Sequence, residues 1–473
     1  MLARTSQGEA SVYDFFCQTP LKRKARTDNS FFPILADFGT DTQEFHVGLG
    51  AMAVPGVVAG LFRVHRDLGR MPIAEIMQPA IELARAGVEL NALHHYIIRI
   101  LEAILRADPA AFAIYQSPAH PDELVSEGET LCHPDMANAF DALSVEGEQL
   151  FYQGDWAKQL ARDSLERGGH VTMDDLAAYR VERRQPLEFK FDTLHCLINP
   201  PPSPGGCLIA FALKLLEQTL SKRPEWGGPD YLTALLDAMR SATMARREFE
   251  QGNERSKASA AGWDSSMMSL LLADSTISSW LQQIQNHSLF SRGTTQISVA
   301  DADGNIASLT ASNGEGNVYV LPGTGVMLNN MLGEEDLNPG GFHCWQEGSR
   351  LASMMSPMVA ERADGTRVAL GTGGSNRIRS AILQTVVNIE AYGLSLEQAV
   401  AASRLHLEGD RLSIEPGFSE AALARAAERV PDVHQWPAQN LFFGGVHAVQ
   451  VSPDGGFEGA GDPRRNGFVA VVN

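Results

Sequence analysis

The chain has 473 residues, enough for one large core or for two domains of ordinary size. Its 57 acidic and 38 basic side chains give a formal net charge of −19, which disfavours nucleic acids and anionic membranes as partners. Hydrophobic residues at 44% and charged residues at 20% are typical of a globular protein. The 5 cysteines are scattered and form no C-x-x-C pair, which argues against a disulfide scaffold and a structural zinc site.

The sequence as given carries no recognisable targeting segment. Residues 1–6 lack the apolar core of a signal peptide. The most apolar stretch, at 51–62, is interrupted by Pro55 and Gly56 and is too short to cross a bilayer. The sequence therefore predicts no membrane span and leaves the localisation open.

The first half of the chain combines helical patterns with one strand-like stretch. Residues 1–50 look irregular, and the first helix is expected after Pro72, with Gly87 as its stop signal. Thr172 and Asp175 have the spacing of a capping box and open another helix. Further predicted elements are a strand at 189–197, a rigid Pro/Gly loop at 200–206, and helices at 208–220 and 232–239.

The second half becomes strand-rich. Residues 250–293 are rich in Ser, Gln, Asn and Ala, with weak periodicity, which predicts a partly mobile connection. Asp303 and Gly304 then favour a hairpin turn between two strands. Further predicted elements are strands at 295–299, 306–310, 326–328 and 368–370, a helix at 378–389, a helix capped by Ser395 and Gln398, and closing strands at 447–451 and 468–472 paired across Asp454-Gly455. Together these patterns predict an α+β layered fold.

Thr294 follows a glycine and leads directly into a predicted strand. A threonine there means little alone, because strands favour β-branched residues. Downstream, however, small hydroxylated residues and glycines recur in loops after strands, where a rigid scaffold commonly presents functional groups. The loops are Ser312-Asn313-Gly314-Glu315-Gly316, Leu328-Asn329-Asn330, Ser353-Met354-Met355-Ser356-Pro357 and Gly371-Thr372-Gly373-Gly374-Ser375-Asn376-Arg377.

This ordered set resembles the γ-glutamyltranspeptidase family. The block from Thr294 to Arg377 is similar to the small subunit of those enzymes, and other similar motifs lie outside it, so the resemblance covers nearly the whole chain. These other motifs are Val54-Pro55-Gly56-Val57-Val58-Ala59-Gly60, Asp175-Leu176-Ala177-Ala178-Tyr179, Pro201-Pro202-Ser203-Pro204-Gly205-Gly206 and Asp462-Pro463-Arg464-Arg465.

The resemblance implies a fold and a processing event. The fold is the four-layer αββα sandwich of N-terminal-nucleophile hydrolases, an α+β class. Self-cleavage between Gly293 and Thr294 would give a large-subunit region at 1–293, with 250–293 as a flexible pre-cleavage segment, and a small-subunit region at 294–473. The two fragments would remain partners in one intertwined fold.

The resemblance also implies a reaction. The hydroxyl of Thr294 would be the nucleophile, and its freed α-amine would act as general base for that hydroxyl. The substrates would be γ-glutamyl amides such as glutathione as donors, with amino acids, peptides or water as acceptors. This chemistry requires no metal or other cofactor.

By the same resemblance, Gly374 and Ser375 form the oxyanion loop, and Ser312 positions the nucleophile through its amine. The implied substrate-binding residues are Glu334 for the donor α-amino group, Ser353 for its α-carboxylate, Met354 and Asn313.

Departures from the family pattern concentrate on the donor. Phe16 stands where the family has the arginine that clamps the donor carboxylate, and phenylalanine cannot replace a bidentate guanidinium. Met331 and Met354 replace polar residues, so a more apolar pocket is expected. The residues Asn313 to Glu315 after Ser312 also differ from the family's polar residues.

Two alternatives therefore stay open beside the γ-glutamyl reaction. One is an acylase-like amidohydrolase that uses a less polar donor, and the other is an inactive or truncated homologue that acts as a binding protein. The family also has a glycine-rich segment and a helix before the position of Tyr13, which suggests an N-terminally truncated gene model. The protein would be cytoplasmic if this start is genuine and periplasmic or secreted if it is truncated.

Overall fold

The computed structural model describes residues 1–25, 29–37, 42–255, 272, 294–338 and 340–472. Most of the predicted connection at 250–293, including Gly293, lies outside the described residues. The strands are β1 Leu2–Arg4, β2 Ala10–Asp14, β3 Phe32–Asp37, β4 Thr42–Val47, β5 Val88–Glu89, β6 Thr130–Leu131, β7 Glu182–Arg184, β8 Leu187–Phe191, β9 Leu194–Ile198, β10 Thr295–Ala300, β11 Ile306–Ala311, β12 Val320–Leu321, β13 Val326–Met327, β14 Met358–Glu361, β15 Arg367–Gly373, β16 Leu405–Glu408, β17 Arg411–Ile414, β18 Asp432–Gln435, β19 Gly445–Val451 and β20 Phe457–Gly461.

The helices are α1 Val57–Leu68, α2 Ile73–Ala86, α3 Ala92–Ile100, α4 Glu102–Leu105, α5 Pro109–Ile114, α6 Pro134–Glu146, α7 Gln149–Tyr152, α8 Asp155–Glu166, α9 Met173–Ala178, α10 Pro204–Thr219, α11 Pro229–Arg255, α12 Arg377–Glu390, α13 Leu396–Ala401 and α14 Glu420–Arg429. Short 3₁₀ turns include Met331–Gly333, Glu335–Leu337, Leu441–Phe443 and Pro463–Arg465. In the part of the chain described, no helix is both long and apolar enough to cross a membrane.

Contacts divide the chain into two units. The first consists of Met1–Val12, Arg183–Ser312 and Ala352–Asn473, and the second of Tyr13–Glu182 and Asn313–Leu351. This division follows spatial contacts and does not test the fragments expected from self-cleavage, which remain a prediction.

The first unit is built on two facing β-sheets. One sheet has the strand order β10-β11-β1-β2-β7, and the other has the order β20-β19-β15-β14-β9-β8. Strands β10 and β11 lie against β15 and β19, and helices α10, α12 and α13 pack against the second sheet. Apolar side chains such as Leu2, Ile306 and Val359 form one core cluster of this unit. Burial of these faces accounts for the layered arrangement, since each sheet must cover its apolar side.

The second unit contains helices α1 to α9 and short antiparallel pairs, among them β3–β4 and β12–β13. One of its clusters gathers apolar and aromatic side chains from distant parts of the sequence, including Met52, Tyr152, Tyr179, Tyr319 and Leu328. Tyrosine hydroxyls in this cluster have partners: Tyr152 donates to the Pro55 carbonyl at 2.9 Å. A tyrosine can therefore lie in this core without leaving its polar atom unpaired.

Several local predictions are confirmed. The helix after Pro72 runs from Ile73 to Ala86 and ends at Gly87, whose φ of 84° suits glycine. Both capping boxes, at Thr172/Asp175 and at Ser395/Gln398, are present. The hairpin β10–β11 turns at Gly304, with a φ of 85°.

Four local predictions are wrong. The helix after Pro72 is not the first, because α1 Val57–Leu68 precedes it: Pro55 and Gly56 lie before its first turn, and Gly60 inside it allows close packing on Phe15. Residues 1–50 are not irregular throughout, because β1 pairs with β11 and with β2, and such long-range pairing leaves no local periodicity in so short a strand. Helix α10 starts at Pro204 rather than 208, since Gly205 and Gly206 belong to its tightly packed first turn. Strand β19 pairs with β20 at 457–461 and not with 468–472, because the tight turn at Gly455 brings Phe457 directly opposite Val451.

A buried network of charges holds the end of the first unit. The Arg464 guanidinium lies 2.7 Å (Nε) from Glu415 Oε1 and 3.2 Å (Nη1) from Asp462 Oδ1. Arg404 Nη2 lies 2.7 Å from Asp462 Oδ2, and these side chains are at most 2% exposed. Burial opposes ionisation of Asp462, yet Arg404 and Arg464 hold the pKa of that carboxyl below its usual value. The network therefore stays charged and pins the 3₁₀ turn Pro463–Arg465 to the sheet.

Removing one member of this network should be costly, because its partners would stay buried without compensation. We expect Arg464→Met to lower the free energy of unfolding by about 3–5 kcal/mol. The measurement is urea unfolding in a Thr294→Ala background, so that every variant is compared as one covalent chain. The matched control, Arg411→Met, breaks the Arg411–Asp432 pair, whose side chains are 42% and 49% exposed. It should cost less than about 1 kcal/mol, and equal losses for both variants would contradict the role given to the network.

Candidate functional site

Thr294 lies immediately before β10, half-buried in the first unit. Its carbonyl oxygen accepts a hydrogen bond from Arg465 Nη1 at 3.2 Å. The same carbonyl packs against Gly373: a Cβ at that glycine would lie 2.2 Å from the oxygen. A separation under 3.0 Å is not seen for real Cβ atoms, so the approach requires glycine at 373. The start of β10 is therefore fixed against the end of β15.

The loop after β15 has an unusual backbone. Gly374 has a φ of 126° and Ser375 a φ of 51°, and the second is a region that non-glycine residues seldom occupy. The loop leads into α12, where the N–H groups of Arg377 and Ile378 donate to the carbonyls of Gly374 and Ser375 at 3.0 and 3.1 Å. The Thr372 hydroxyl donates to the Gly373 carbonyl at 2.9 Å. The loop is thus bonded on both sides of its strained residues.

Ser312 and Thr294 lie at the same end of the β10–β11 hairpin. The last paired residues there are Thr295 and Ala311, and Thr294 and Ser312 are the next residues along the two strands. The Ser312 hydroxyl therefore belongs to the region in which β10 begins.

Gln296 is a buried residue of this region that the sequence reasoning missed. Its Nε2 donates to Ser308 Oγ at 2.9 Å, and its Oε1 accepts from Thr310 Oγ1 at 2.5 Å. The side chain also packs on Gly371, where a Cβ would lie 2.3 Å from Gln296 Oε1. Its inward position two residues after Thr294 could have indicated a role, because a buried amide must find partners for all its polar groups.

Arg465 belongs to the motif Asp462-Pro463-Arg464-Arg465, and the sequence alone assigns it no role. Besides the Thr294 carbonyl, it donates to the Leu441 carbonyl through Nη2 at 3.4 Å. Its aliphatic stem covers Gly445, where a Cβ would lie 2.5 Å from Arg465 Cδ. The buried charges of Asp462 and Arg464 fix the turn that carries Arg465, and so they support the threonine indirectly.

Ser353 and Met354 lie in a buried loop before β14, in the first unit. The Ser203 hydroxyl donates to the Ser353 carbonyl at 2.5 Å. Gly205 approaches the Met354 carbonyl so closely that a Cβ would lie 2.4 Å from its oxygen. The Pro/Gly segment predicted as a rigid loop thus supports the Ser353 loop.

Glu334 and Asn313 belong to the second unit, where a compact turn holds them. Glu334 is 2% exposed and lies between two 3₁₀ turns. Gly314, with a φ of 63°, lies against it: a Cβ there would be 2.0 Å from Asn330 Oδ1 and 2.9 Å from Glu334 Oε1. Asn313 Nδ2 donates to the Met327 carbonyl at 3.2 Å. The structure therefore brings the 313–315 segment to the Glu334 turn.

Phe16 and Met331, the two departures from the family pattern in this unit, share one apolar cluster. Phe16 packs against the buried group that includes Cys17, Met331, Trp345 and Leu351. Burial raises the pKa of the Cys17 thiol to about 12, a sign of the same apolar surroundings. With phenylalanine at position 16, this segment offers no guanidinium there to bind the carboxylate of a donor.

Arg350 contacts the Phe16 backbone, and its guanidinium has further partners. Its Nη1 donates to the Phe16 carbonyl, Nη2 donates to the Arg180 carbonyl at 2.5 Å, and the guanidinium lies 4.8 Å above the Tyr179 ring. The Tyr179 hydroxyl also donates to the Phe16 carbonyl at 2.9 Å. Arg350 thus fixes the backbone of this segment.

Across the ranges that the structure describes, no group of His, Cys, Asp and Glu side chains is arranged to hold a metal ion. In the first unit, the Thr294 carbonyl contacts Gly373 where β10 begins and β15 ends, and Ser312 directly follows β11. Glu334 and Asn313 gather in the second unit, and the Ser353–Met354 loop has its own support from residues 203–205.

Comparison with known proteins identifies the family. The model of the gamma-glutamyltranspeptidase family matches residues 1–472. The glutathione hydrolase proenzyme of Escherichia coli K12 is 29% identical over 486 residues, covering 98% of this chain and 82% of the relative. The acylase ACY 1 proenzyme of Pseudomonas sp. V22 is 30% identical over 440 residues, covering 92% of this chain and 77% of the relative.

Among solved structures, cephalosporin acylase from Bacillus halodurans superposes with a TM-score of 0.79 at 20% identity, covering 100% of this chain and 86% of that one. At that identity the likeness speaks to the fold alone, and it confirms the expected α+β sandwich of N-terminal-nucleophile hydrolases. With the family model matched along nearly its entire length, this chain belongs to the gamma-glutamyltranspeptidase family of enzymes.

Proposed function

We propose that this chain is a self-processing acyl transferase and hydrolase with Thr294 as its nucleophile. Its donors are γ-glutamyl amides such as glutathione, and its acceptors are amino acids, peptides or water. The observation that carries the proposal is the close packing of the Thr294 carbonyl on Gly373, which sets the threonine beside the strained Gly374–Ser375 loop. Because a Cβ does not fit at position 373, this contact fixes where the Thr294 backbone lies relative to the loop.

Self-processing begins with the uncleaved chain. The Thr294 hydroxyl oxygen attacks the Gly293 carbonyl carbon, the peptide C–N bond breaks, and an ester to the threonine oxygen forms as the nitrogen takes the proton. Water then hydrolyses the ester, which frees a carboxylate on Gly293 and an α-amine on Thr294. The large fragment at 1–293 and the small fragment at 294–473 remain associated as parts of one fold.

The freed α-amine then serves as the base for each turnover. Its reference pKa of about 7.7–8.0 lies close to neutral pH, which suits proton transfer in both directions. It takes the proton of the Thr294 hydroxyl as the oxygen attacks the donor amide, and it returns that proton to the leaving amine. The acyl ester is then attacked by water or by an acceptor amine. The Ser312 hydroxyl, at the same end of the hairpin, is the group assigned to hold the amine.

The Gly374–Ser375 loop is assigned to the oxyanion. It precedes the first turn of α12, and N–H groups at a helix N-terminus point away from the helix, where the positive end of its dipole lies. Stabilisation of a developing oxyanion by such donors is commonly the largest catalytic effect, and removing one donor costs about 10²–10³ in rate. Glycine at 374 also accepts the φ of 126° that other residues avoid.

Donor recognition is assigned to Glu334, Asn313, Ser353 and Met354. The buried Glu334 carboxylate would bind the donor's ammonium group, and the Ser353 hydroxyl would contact its carboxylate. An acylase-like reaction on a less polar donor is the second candidate, favoured by the cluster of Phe16 with Met331. An inactive binding protein is the third reading, and the processing experiment below separates it from the first two.

Processing should depend on the Thr294 hydroxyl. The purified wild-type chain is expected to split into two bands on a denaturing gel, and Thr294→Ala should stay as one full-length band. Thr295→Ala, at the exposed neighbouring threonine, is the matched control and should split normally. N-terminal sequencing of the smaller fragment should begin at Thr294, and splitting that persists in Thr294→Ala would show that the nucleophile is misassigned.

Gly373→Ala should block the site through its backbone contact. The new methyl group would lie 2.2 Å from the Thr294 carbonyl oxygen, so the threonine must shift from its position. Misplacement by about 1 Å can cost on the order of 10² in rate, so we expect processing and turnover to fall by about that factor. Gly340→Ala is the control, because a Cβ at position 340 would lie 4.0 Å from the Cβ of Cys344, an ordinary van der Waals contact. Normal processing in Gly373→Ala would contradict the site geometry.

The donor is tested by the ratio of two activities. Phe16→Arg should restore a bidentate partner for a carboxylate, an interaction worth about 1.5–3 kcal/mol, or roughly 10- to 100-fold. The measurement is kcat/KM for a γ-glutamyl anilide relative to a neutral acyl anilide, each with processed enzyme. A rise in this ratio is expected for the variant. If wild type already prefers the neutral donor, the less polar donor replaces glutathione-like compounds as the assigned substrate.

A further inference from the structure

A chain of buried polar side chains lies under the Gly374–Ser375 loop. Ser380 Oγ and His406 Nδ1 are 2.7 Å apart, and His406 Nε2 and Glu408 Oε2 are 2.9 Å apart. Glu408 Oε1 in turn accepts from Asn376 Nδ2 at 3.2 Å. All these residues belong to the first unit and are at most 6% exposed. None of them has a role in the proposed reaction so far.

The hydrogen bonds fix the protons along this chain. The Glu408 carboxylate can only accept, so His406 must carry its proton on Nε2 and Asn376 must present its amide nitrogen. At the other end of the ring, His406 Nδ1 lies 2.7 Å from Ser380 Oγ, which also has the Arg377 carbonyl within 3.2 Å. Burial lowers the pKa of His406, in keeping with this neutral tautomer. The other end of the Asn376 amide is also held, because Arg246 Nη1 donates to its Oδ1 at 3.2 Å.

Asn376 is the residue directly after the strained loop. A left-handed conformation at a residue such as Ser375 costs about 1–2 kcal/mol and persists only where the surroundings enforce it. On one flank, Arg377 Nε donates to the Phe442 carbonyl at 3.0 Å, and the guanidinium lies 4.8 Å above the Phe442 ring. The other anchor is the Asn376 side chain, whose Nδ2 donates to Glu408 Oε1 at 3.2 Å. The loop is therefore clamped at the residue that follows it.

We propose that Glu408 and His406 are positioning residues for the oxyanion loop. They fix Asn376, and through it they aim the N–H groups of Gly374 and Ser375. This inference rests on the proposed function of the loop. Neither residue touches the reacting atoms, so neither is a catalytic residue, and their loss should lower kcat while leaving KM nearly unchanged.

Two substitutions at His406 distinguish positioning from mere packing. The Gln amide places a donor nitrogen near the position of Nε2 and so keeps the bond to Glu408, whereas the Asn amide reaches only the position of Nδ1 and loses it. We expect His406→Gln to keep kcat within about threefold of wild type and His406→Asn to lower it about 10- to 100-fold, with KM changed less than threefold. Equal kcat values for the two variants would overturn the proposal.

A control variant removes a buried asparagine, Asn388, from helix α12, the helix that also carries Ser380. Asn388 accepts hydrogen bonds from Trp226 Nε1 at 2.9 Å and from the Tyr231 hydroxyl at 3.3 Å. Asn388→Leu should lower the melting temperature and leave kcat within about threefold of wild type. If its kcat falls together with its melting temperature, as far as in His406→Asn, the kcat effect reflects general destabilisation and the positioning role is wrong.

A structural measurement decides the proposal even if the chain proves inactive. In Glu408→Leu the new side chain can accept from neither His406 nor Asn376, so both hydrogen bonds are lost whichever tautomer His406 adopts. A crystal structure of this variant should show Asn376 rotated and Ser375 out of its left-handed conformation. An unchanged loop would overturn the positioning role. Wild type that neither splits nor turns over donors, together with a displaced loop in the variant, would instead reject the proposed function and keep the structural role.

Discussion

The contact between the Thr294 carbonyl and Gly373 joins the edge strand β10 of one sheet to the inner strand β15 of the facing sheet, and the candidate site depends on it. A second contact holds the same two strands together: the Gln296 side chain lies on Gly371, where a Cβ would not fit. Arg465 adds a hydrogen bond to the Thr294 carbonyl from the turn Pro463–Arg465. These contacts leave the start of β10 little freedom, and the proposed acyl transfer would require such fixed geometry.

The buried charges near the C-terminus fix the turn that carries Arg465, and Arg465 in turn binds the Thr294 carbonyl. A buried ion pair is seldom more stabilising than apolar residues of the same volume, but it demands one geometry. Arg464 satisfies Glu415 and Asp462 together, and this fixes the short turn that delivers Arg465. The chain Ser380–His406–Glu408–Asn376 has the same character on the other side of the loop. Both networks give the region a unique arrangement at the expense of simple packing.

The sequence predicted what depends on local pattern and on motif order. It gave the α+β class, the hairpin at Gly304 and both capping boxes, because turn and cap residues act within a few positions of themselves. It did not reveal β1, whose pairing with β11 joins residues some 300 positions apart, nor the role of Gln296, which depends on the opposite sheet. In the sequence Gly373 is one of several glycines in a loop. Its close contact with the Thr294 carbonyl depends on the three-dimensional structure and leaves no local sequence pattern.

Substitutions near Thr294 and substitutions at position 16 have different structural consequences. The proposed reaction can therefore be retained while the preferred donor changes. Gly373 touches the Thr294 carbonyl and Gly371 touches the Gln296 side chain, and neither glycine leaves room for a Cβ, so a change at either position moves the start of β10. Position 16 is different: Tyr179 and Arg350 hold the Phe16 backbone by its carbonyl, and the side chain only joins an apolar cluster. The backbone at this position is therefore held independently of its side chain. Under the proposed function, a change at position 16 can alter the donor while the contacts of Thr294 and of the Gly374–Ser375 loop stay in place.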